Sequence, residues 1–204
     1  MVKFKSHLWD KLKSVAAAAR KKYPLDREAW RYHAGLGCLG LIFESRPRHG
    51  GYWCTPTNSL SFAWNGGGGT HFSFLVKDNV VHDRSPIICT VPEPGGQQNF
   101  IVGKNLNQFL SLGYYCGYFG LEQLAFDLDG TLQAFTRSNR KQNLKTDIWA
   151  ERSADPERAA VLQFLQKQMG LQPWDGGKKE FKSLQRSFMS RLEYSAEAKK
   201  LLCR

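Results

Sequence analysis

Histidine, cysteine and clustered glycine are the residue types through which this 204-residue chain could bind a metal, form a nucleophile or cradle a phosphate. Five histidines and five cysteines are present, but no pair sits at the close separations of a zinc site. Placed on neighbouring strands, His71 and His82 would share a face about 13 Å apart at roughly 3.3 Å per residue, too far to chelate one ion. A cysteine and a histidine such as Cys54 and His71 could form a nucleophile pair, since such pairs meet in space, yet no local signature marks one. Four glycines, Gly66, Gly67, Gly68 and Gly69, could approach a phosphate. They lack a G-K-[ST] ending and lead into strand-like Thr70 to Lys77, so they are expected to form a tight structural turn. Tyr114, Tyr115, Tyr118 and Phe119 could stack nucleobases, although beside Gly113, Gly117 and Gly120 they also suit close helix packing.

Two carboxylates add a different chemistry. The string Ala125-Phe-Asp-Leu-Asp-Gly-Thr-Leu132 resembles the nucleophile motif of haloacid-dehalogenase-type phosphohydrolases. That resemblance implies Asp127 as the nucleophile on phosphorus and Asp129 as acid and base, both beside magnesium. In that family the motif ends a buried parallel strand. Here the same residues also read as a helix with an apolar face of Leu124, Leu128 and Leu132 and its aspartates in water.

The elements that would position these groups follow from periodicity. Phe4, Leu8, Leu12, Val15 and Ala19 predict an amphipathic helix with a basic outer face, ended near Pro24. The period then changes to two. Candidate strands are Cys38 to Phe43, Tyr52 to Thr55, Ser59 to Trp64 with Leu60, Phe62 and Trp64 inward, and His71 to Val76 with Phe72, Phe74 and Val76 inward. Asp78-Asn79 suits a two-residue hairpin loop, pairing Val76 with Val81 and Leu75 with His82. Ile87 to Val91 and Asn99 to Val102 complete a largely antiparallel meander with one face packed. Asn105 and Gln108 predict a capped short helix, and Leu121, Leu124, Leu128, Leu132 and Phe135 a further helical stripe. Asp155-Pro156 opens a helix bearing Val161, Leu162, Leu165 and Met169 and closed by Gly170. Phe181, Leu184, Phe188 and Leu192 form the stripe of another, and Ser138 to Lys145 reads as a linker.

Charge is uneven. The chain is +11, with nine basic and three acidic residues in 1 to 33, fourteen and eight in 138 to 204, and a nearly neutral centre. Basic ends favour an anionic partner such as nucleic acid. Five cysteines, odd in number and never spaced C-x-x-C, suit a reduced compartment, and no apolar run is long enough to cross a bilayer. The expectation is a cytoplasmic protein with no membrane span and no cofactor.

Between Thr55 and about Phe126 the chain resembles the SUKH superfamily, which includes bacterial toxin-immunity proteins and the fungal cell-wall-synthesis regulator. The segments concerned are Thr55-Pro-Thr-Asn58, Phe62-Ala-Trp-Asn65, Gly68-Gly-Thr-His-Phe-Ser-Phe-Leu75, Pro86-Ile-Ile-Cys-Thr-Val91, Asn105-Leu-Asn-Gln-Phe-Leu110 and Tyr118-Phe-Gly-Leu-Glu-Gln-Leu124. Members typically carry an acidic residue within the glycine turn, where this chain has Gly67 or Gly68. The resemblance implies an α+β fold, a twisted antiparallel sheet with flanking helices, acting as a non-catalytic platform that binds a partner protein, often a toxin.

The expected organisation is therefore a SUKH-like domain over 1–137 and a basic helical extension over 138–204, either packed on the same core or forming its own lobe. The expected function is protein binding, immunity-like or as an adaptor, with outer-sheet residues His71, Ser73, Leu75 and His82 as partner contacts. The alternatives are a nucleic-acid-associated domain using the basic terminal helices and a phosphohydrolase built on Asp127.

Overall fold

A computed structural model describes residues 2–24, 34–93, 96–135 and 156–202. The first helix starts later than its apolar spacing predicts. Ser6 has extended backbone and its hydroxyl accepts the Trp9 N–H, so α1 runs His7–Lys22 and buries Trp9, Leu12, Val15 and Ala19. Phe4 instead lies in strand β1 (Lys3–Lys5), its ring edge-on to that of Phe74 with centroids 6.3 Å apart.

Glycine also displaces a strand boundary. Gly35 and Gly40 have φ of 55° and 80°, and between them Gly35–Leu39 forms a 3-10 turn, so the expected strand at Cys38 begins only at Ile42. Tyr52 to Thr55 is a turn, closed by the Thr55 N–H on the Tyr52 carbonyl.

The alternating centre folds as expected into one sheet. Strands β2 (Ile42–Arg48), β3 (Ser59–Trp64), β4 (His71–Leu75), β6 (Ile87–Thr90) and β7 (Asn99–Gly103) lie antiparallel in the order β2-β3-β4-β6-β7. Between them, Asp78 and Asn79 take φ of 52° and 55°, the turn their types favour, and Lys77 bridges Val80. The hairpin goes no further. Val76 donates to the Asn58 carbonyl and Leu75 to the Pro86 carbonyl, while β5 (Val80–His82) leaves to pair in parallel with β1, placing His82 opposite Lys5 rather than Leu75.

A bulge between Ser61 and Ala63 changes the register of β3. Both Phe62 and Ala63 then enter the core, and Trp64, expected inward with Leu60 and Phe62, pairs with His71. The inner face packs Phe62, Phe72, Phe74, Cys89 and Phe100 against α1 and against helix α2 (Leu106–Leu112), with Phe62 and Phe74 rings 4.6 Å apart and Phe72 4.9 Å from Phe109. Asn105 caps α2 by accepting the Gln108 N–H at 2.8 Å, as its type and spacing predict.

The stripe from Leu121 to Phe135 is not one helix. A 3-10 segment, Phe119–Ala125, ends at exposed Phe126, and α3 (Leu128–Ala134) starts anew with the Asp127 carboxylate accepting the Gly130 N–H at 2.9 Å. Leu121, Leu124, Leu132 and Phe135 are buried from both pieces. Helix α4 (Pro156–Met169) ends at Gly170 with φ 67°, and its Val161, Leu165 and Met169 join the central core, as do Leu171, Trp174 and Phe181. The C-terminal helices thus complete the same core as the sheet. The linker expected at Ser138 to Lys145 lies outside the described residues.

The outer face of the sheet is also covered, correcting the expectation of one packed face. Helix α5 (Gly177–Phe188) and the segment that follows place Leu184 and Leu192 on Leu75, Ile88 and Ile101. Gln185 fastens the helix to the edge strand: its side chain accepts the Ile101 N–H at 2.9 Å and donates to the Ile101 carbonyl at 2.8 Å. Further along, Asn58 accepts the Glu193 N–H and donates to the Arg191 carbonyl, and the Thr57 N–H reaches the Glu193 carbonyl. A terminal helix α6 (Ala196–Leu202) buries Ala198.

Candidate functional site

Beyond the reach of α5, the outer face of β2, β3 and β4 stays open as a cleft of about 310 Å³. Glu44, Arg48, Tyr52, Ser61, Trp64 and His71 are among its walls. Strand β2 supplies the charged wall because it bulges: Phe43 pairs with Ala63 and Arg48 with Ser61, so Glu44 to Pro47 arch out opposite Phe62. Across that arch Arg48 Nη2 lies 3.3 Å from Glu44 Oε2.

His71 forms the floor, 4% exposed. Its Nδ1 is 2.9 Å from the Gly69 carbonyl, which can only accept, so Nδ1 carries the proton and Nε2 accepts from the Thr55 hydroxyl at 3.2 Å. Burial lowers its pKa from the ordinary histidine value, aided by His49 and opposed by the Gly69 carbonyl and Glu44, so the ring is held neutral. Tyr52 stacks on this ring at 5.5 Å and 18°. Two glycines make room: a Cβ at Gly50 would stand 2.8 Å from His71 Nε2, and one at Gly69, φ 82°, would meet the Tyr52 hydroxyl. The loop beyond Tyr52 is held by Asn99, whose Nδ2 donates to the Cys54 carbonyl at 2.9 Å and to the Tyr194 hydroxyl at 3.2 Å. The Thr90 hydroxyl, donating to Asn99 Oδ1 at 2.7 Å, fixes the amide orientation. Tyr52 remains 45% exposed in the cleft wall, and Trp53, next to it on the same loop, 38%.

Of the four partner contacts expected from sequence, only His71 lines this cleft. Ser73 and Leu75 are buried, at 0% and 5% exposure, Leu75 beneath Leu184 and Leu192, and cannot present an outer surface; His82 is exposed on the small β1–β5 sheet, away from the others. Tyr52, Trp64, Glu44 and Arg48 were not legible as a site. The residues of the turn Gly66, Gly67, Gly68 and Gly69 do form a turn, with positive φ at Gly66, Gly68 and Gly69 and the Thr70 N–H on the Gly67 carbonyl. A side chain at Gly67 would lie 3.0 Å from the Glu122 carboxylate, which accepts from Asn65 Nδ2 at 2.9 Å. An acidic group thus sits over the turn, delivered from the 3-10 segment.

The other chemical candidates are placed differently. Asp127 caps α3 and Asp129 pairs with Lys178 at 2.6 Å, on helix rather than at the end of a parallel strand. His71 bonds Thr55 rather than Cys54, and burial pushes the Cys54 thiol up to about 11 and that of Cys89 higher still. Tyr118 is fully buried, its hydroxyl donating to the Leu110 carbonyl at 2.8 Å, while Tyr114 packs edge-on against Tyr115. Among the described residues no group of three or more His, Cys, Asp or Glu is arranged to hold a metal, and no helix is long and apolar enough to cross a membrane. Comparison with protein-family models, with curated proteins and with solved structures finds no match to this chain.

Proposed function

We propose that this chain is a non-catalytic protein-binding module of SUKH type, acting in the cytoplasm as an immunity-like protein against a toxin or as an adaptor, with the cleft beside His71 as its recognition surface. The observation that carries the reading is the composition and anchoring of the cleft rim. Half-exposed Tyr52 and its neighbour Trp53 stand on a loop fixed by Asn99, and half-buried Trp64 and exposed Arg48 line the cleft together with Tyr52. Aromatic and arginine side chains dominate binding energy at protein interfaces, and a pre-ordered loop reduces the entropy lost on docking. The segments that carry the family resemblance also fall on adjoining elements: β3, the glycine turn with β4, β6, α2 and the 3-10 segment.

The test is capture on the tagged full chain from native lysate, with and without nuclease, compared with Tyr52→Ala/Trp64→Ala. A stoichiometric protein partner that survives nuclease and is lost from the double variant, but kept by Phe126→Ala at an exposed site elsewhere, is the expected result. Recovery that collapses on nuclease treatment, or a partner indifferent to the cleft substitutions, overturns the proposal.

A further inference from the structure

Helix α5 turns one face to the sheet and the other to solvent, and the solvent face has an unusual composition. Phe181, Leu184 and Phe188 point inward. At about 100° per residue the outward arc runs Lys178, Lys182, Arg186, Lys179, Ser183, Ser187, all exposed and with no acidic or apolar side chain among them. Glu180, at the border, is turned aside and hydrogen-bonded by Gln108. Lys178 is paired with Asp129, whereas Lys179, Lys182 and Arg186 have no ion pair among the described residues. This arrangement works against the helix itself. Two lysines stand in its first turn, where the macrodipole disfavours cations, and Lys182 and Arg186 are like charges at i,i+4.

We infer that the outward arc of α5 is a contact surface for the phosphate backbone of a nucleic acid, separate from the cleft. Lysine, arginine and serine are the side chains that contact phosphate, and an interface of that kind needs no apolar centre. A protein partner would need an aromatic or aliphatic anchor and a membrane would need inserted apolar residues; none of the exposed large hydrophobics lies on α5. The cations of α1 cannot share the contact. That helix packs on the inner face of the sheet through Trp9, Phe62 and Phe74, and α5 packs on the outer face through Leu184.

The test uses the full chain and a short fluorescein-labelled DNA duplex, with anisotropy read across salt. Three neutralised phosphates give about 2.7 log units of affinity per log unit of salt, a loss of about 40-fold between about 50 and 200 mM. Lys179→Gln/Lys182→Gln/Arg186→Gln is expected to lower the slope by that amount, while Lys11→Gln/Lys21→Gln on α1 and Tyr52→Ala/Trp64→Ala in the cleft leave it unchanged. Circular dichroism confirms that each variant is folded. An unchanged slope in the triple variant, an equal fall in the α1 variant, or equal competition by polyglutamate overturns the assignment, whatever the outcome at the cleft.

Discussion

Removing the Asn99 side chain should damage both the fold and the cleft, by an amount the geometry allows to be worked out. Asn99 is 2% exposed and joins three otherwise distant segments: Thr90 donates to its carbonyl oxygen, and its amino group donates to the Cys54 carbonyl and the Tyr194 hydroxyl. In Asn99→Ala the fully buried Thr90 hydroxyl and the Cys54 carbonyl lose these partners, at about 1–3 kcal/mol each, while partly exposed Tyr194 can turn to water. The expected loss is about 2–6 kcal/mol, a large part of the stability of an ordinary domain. Equilibrium urea unfolding reads it as a lower midpoint at unchanged slope. Asn99→Asp sharpens the test. The new carboxyl keeps the acceptor for Thr90 but turns its second oxygen to the Cys54 carbonyl, so only the protonated form can donate there. Its folded pKa is therefore raised above the unfolded value of about 3.9. A raised pKa favours folding below the unfolded value and loses that contribution as pH rises through the folded one. The penalty of Asn99→Asp relative to the native chain must grow with pH. A loss below about 1 kcal/mol in the alanine variant, or a flat penalty from about pH 4.5 to 8 in the aspartate variant, would refute the argument.

Two further outcomes follow from the same structure. Gln185→Ala strips both backbone hydrogen bonds from Ile101 on the edge strand, and is expected to cost about 2 kcal/mol and speed hydrogen exchange at the Ile101 amide; unchanged exchange there contradicts the role given to this side chain. Burial lowers the His71 pKa, so the unfolded chain takes up a proton before the folded one does: the stability present above about pH 6.5 is lost as pH falls toward the folded value, by up to about 1.4 kcal/mol per unit. His71→Gln should remove that part of the slope, and an equal slope in both proteins would show that the imidazole is not held neutral.

Local patterns carried the sheet, whereas the cleft depended on contacts that no local pattern contains. Alternation across Phe72, Phe74 and their neighbours, the Asp78-Asn79 turn and the Asn105 cap were all legible, because each depends on residues a few positions apart. Trp64 was misassigned to the inner face because the bulge at Ser61 and Ala63 breaks strict alternation, and no glycine or proline marks it. His71 and Ser73 read as solvent-facing because they alternate with the inward Phe72 and Phe74 in a sheet expected to pack only one face. The structure buries both: His71 is satisfied by Thr55 and Gly69, while the Ser73 hydroxyl has no hydrogen-bond partner among the described residues. The amphipathic stripe of α5 was plain, but the surface it covers was not, since a stripe specifies burial without specifying the partner.

That covering also has an order in time. The strands beneath it are complete at Gly103, yet Leu192, which helps close the outer face, is translated about 90 residues later, a delay of about 5–18 s at ~5–20 residues per second. During that interval Leu75, Ile88 and Ile101 are synthesised but their cover is not, and the free edge of β7 has no Gln185 to occupy it. The nascent chain therefore passes through a window in which an apolar patch and an unpaired strand edge are available to any neighbouring chain. Ribosome-bound chains stalled before α5 should be the form most in need of a chaperone.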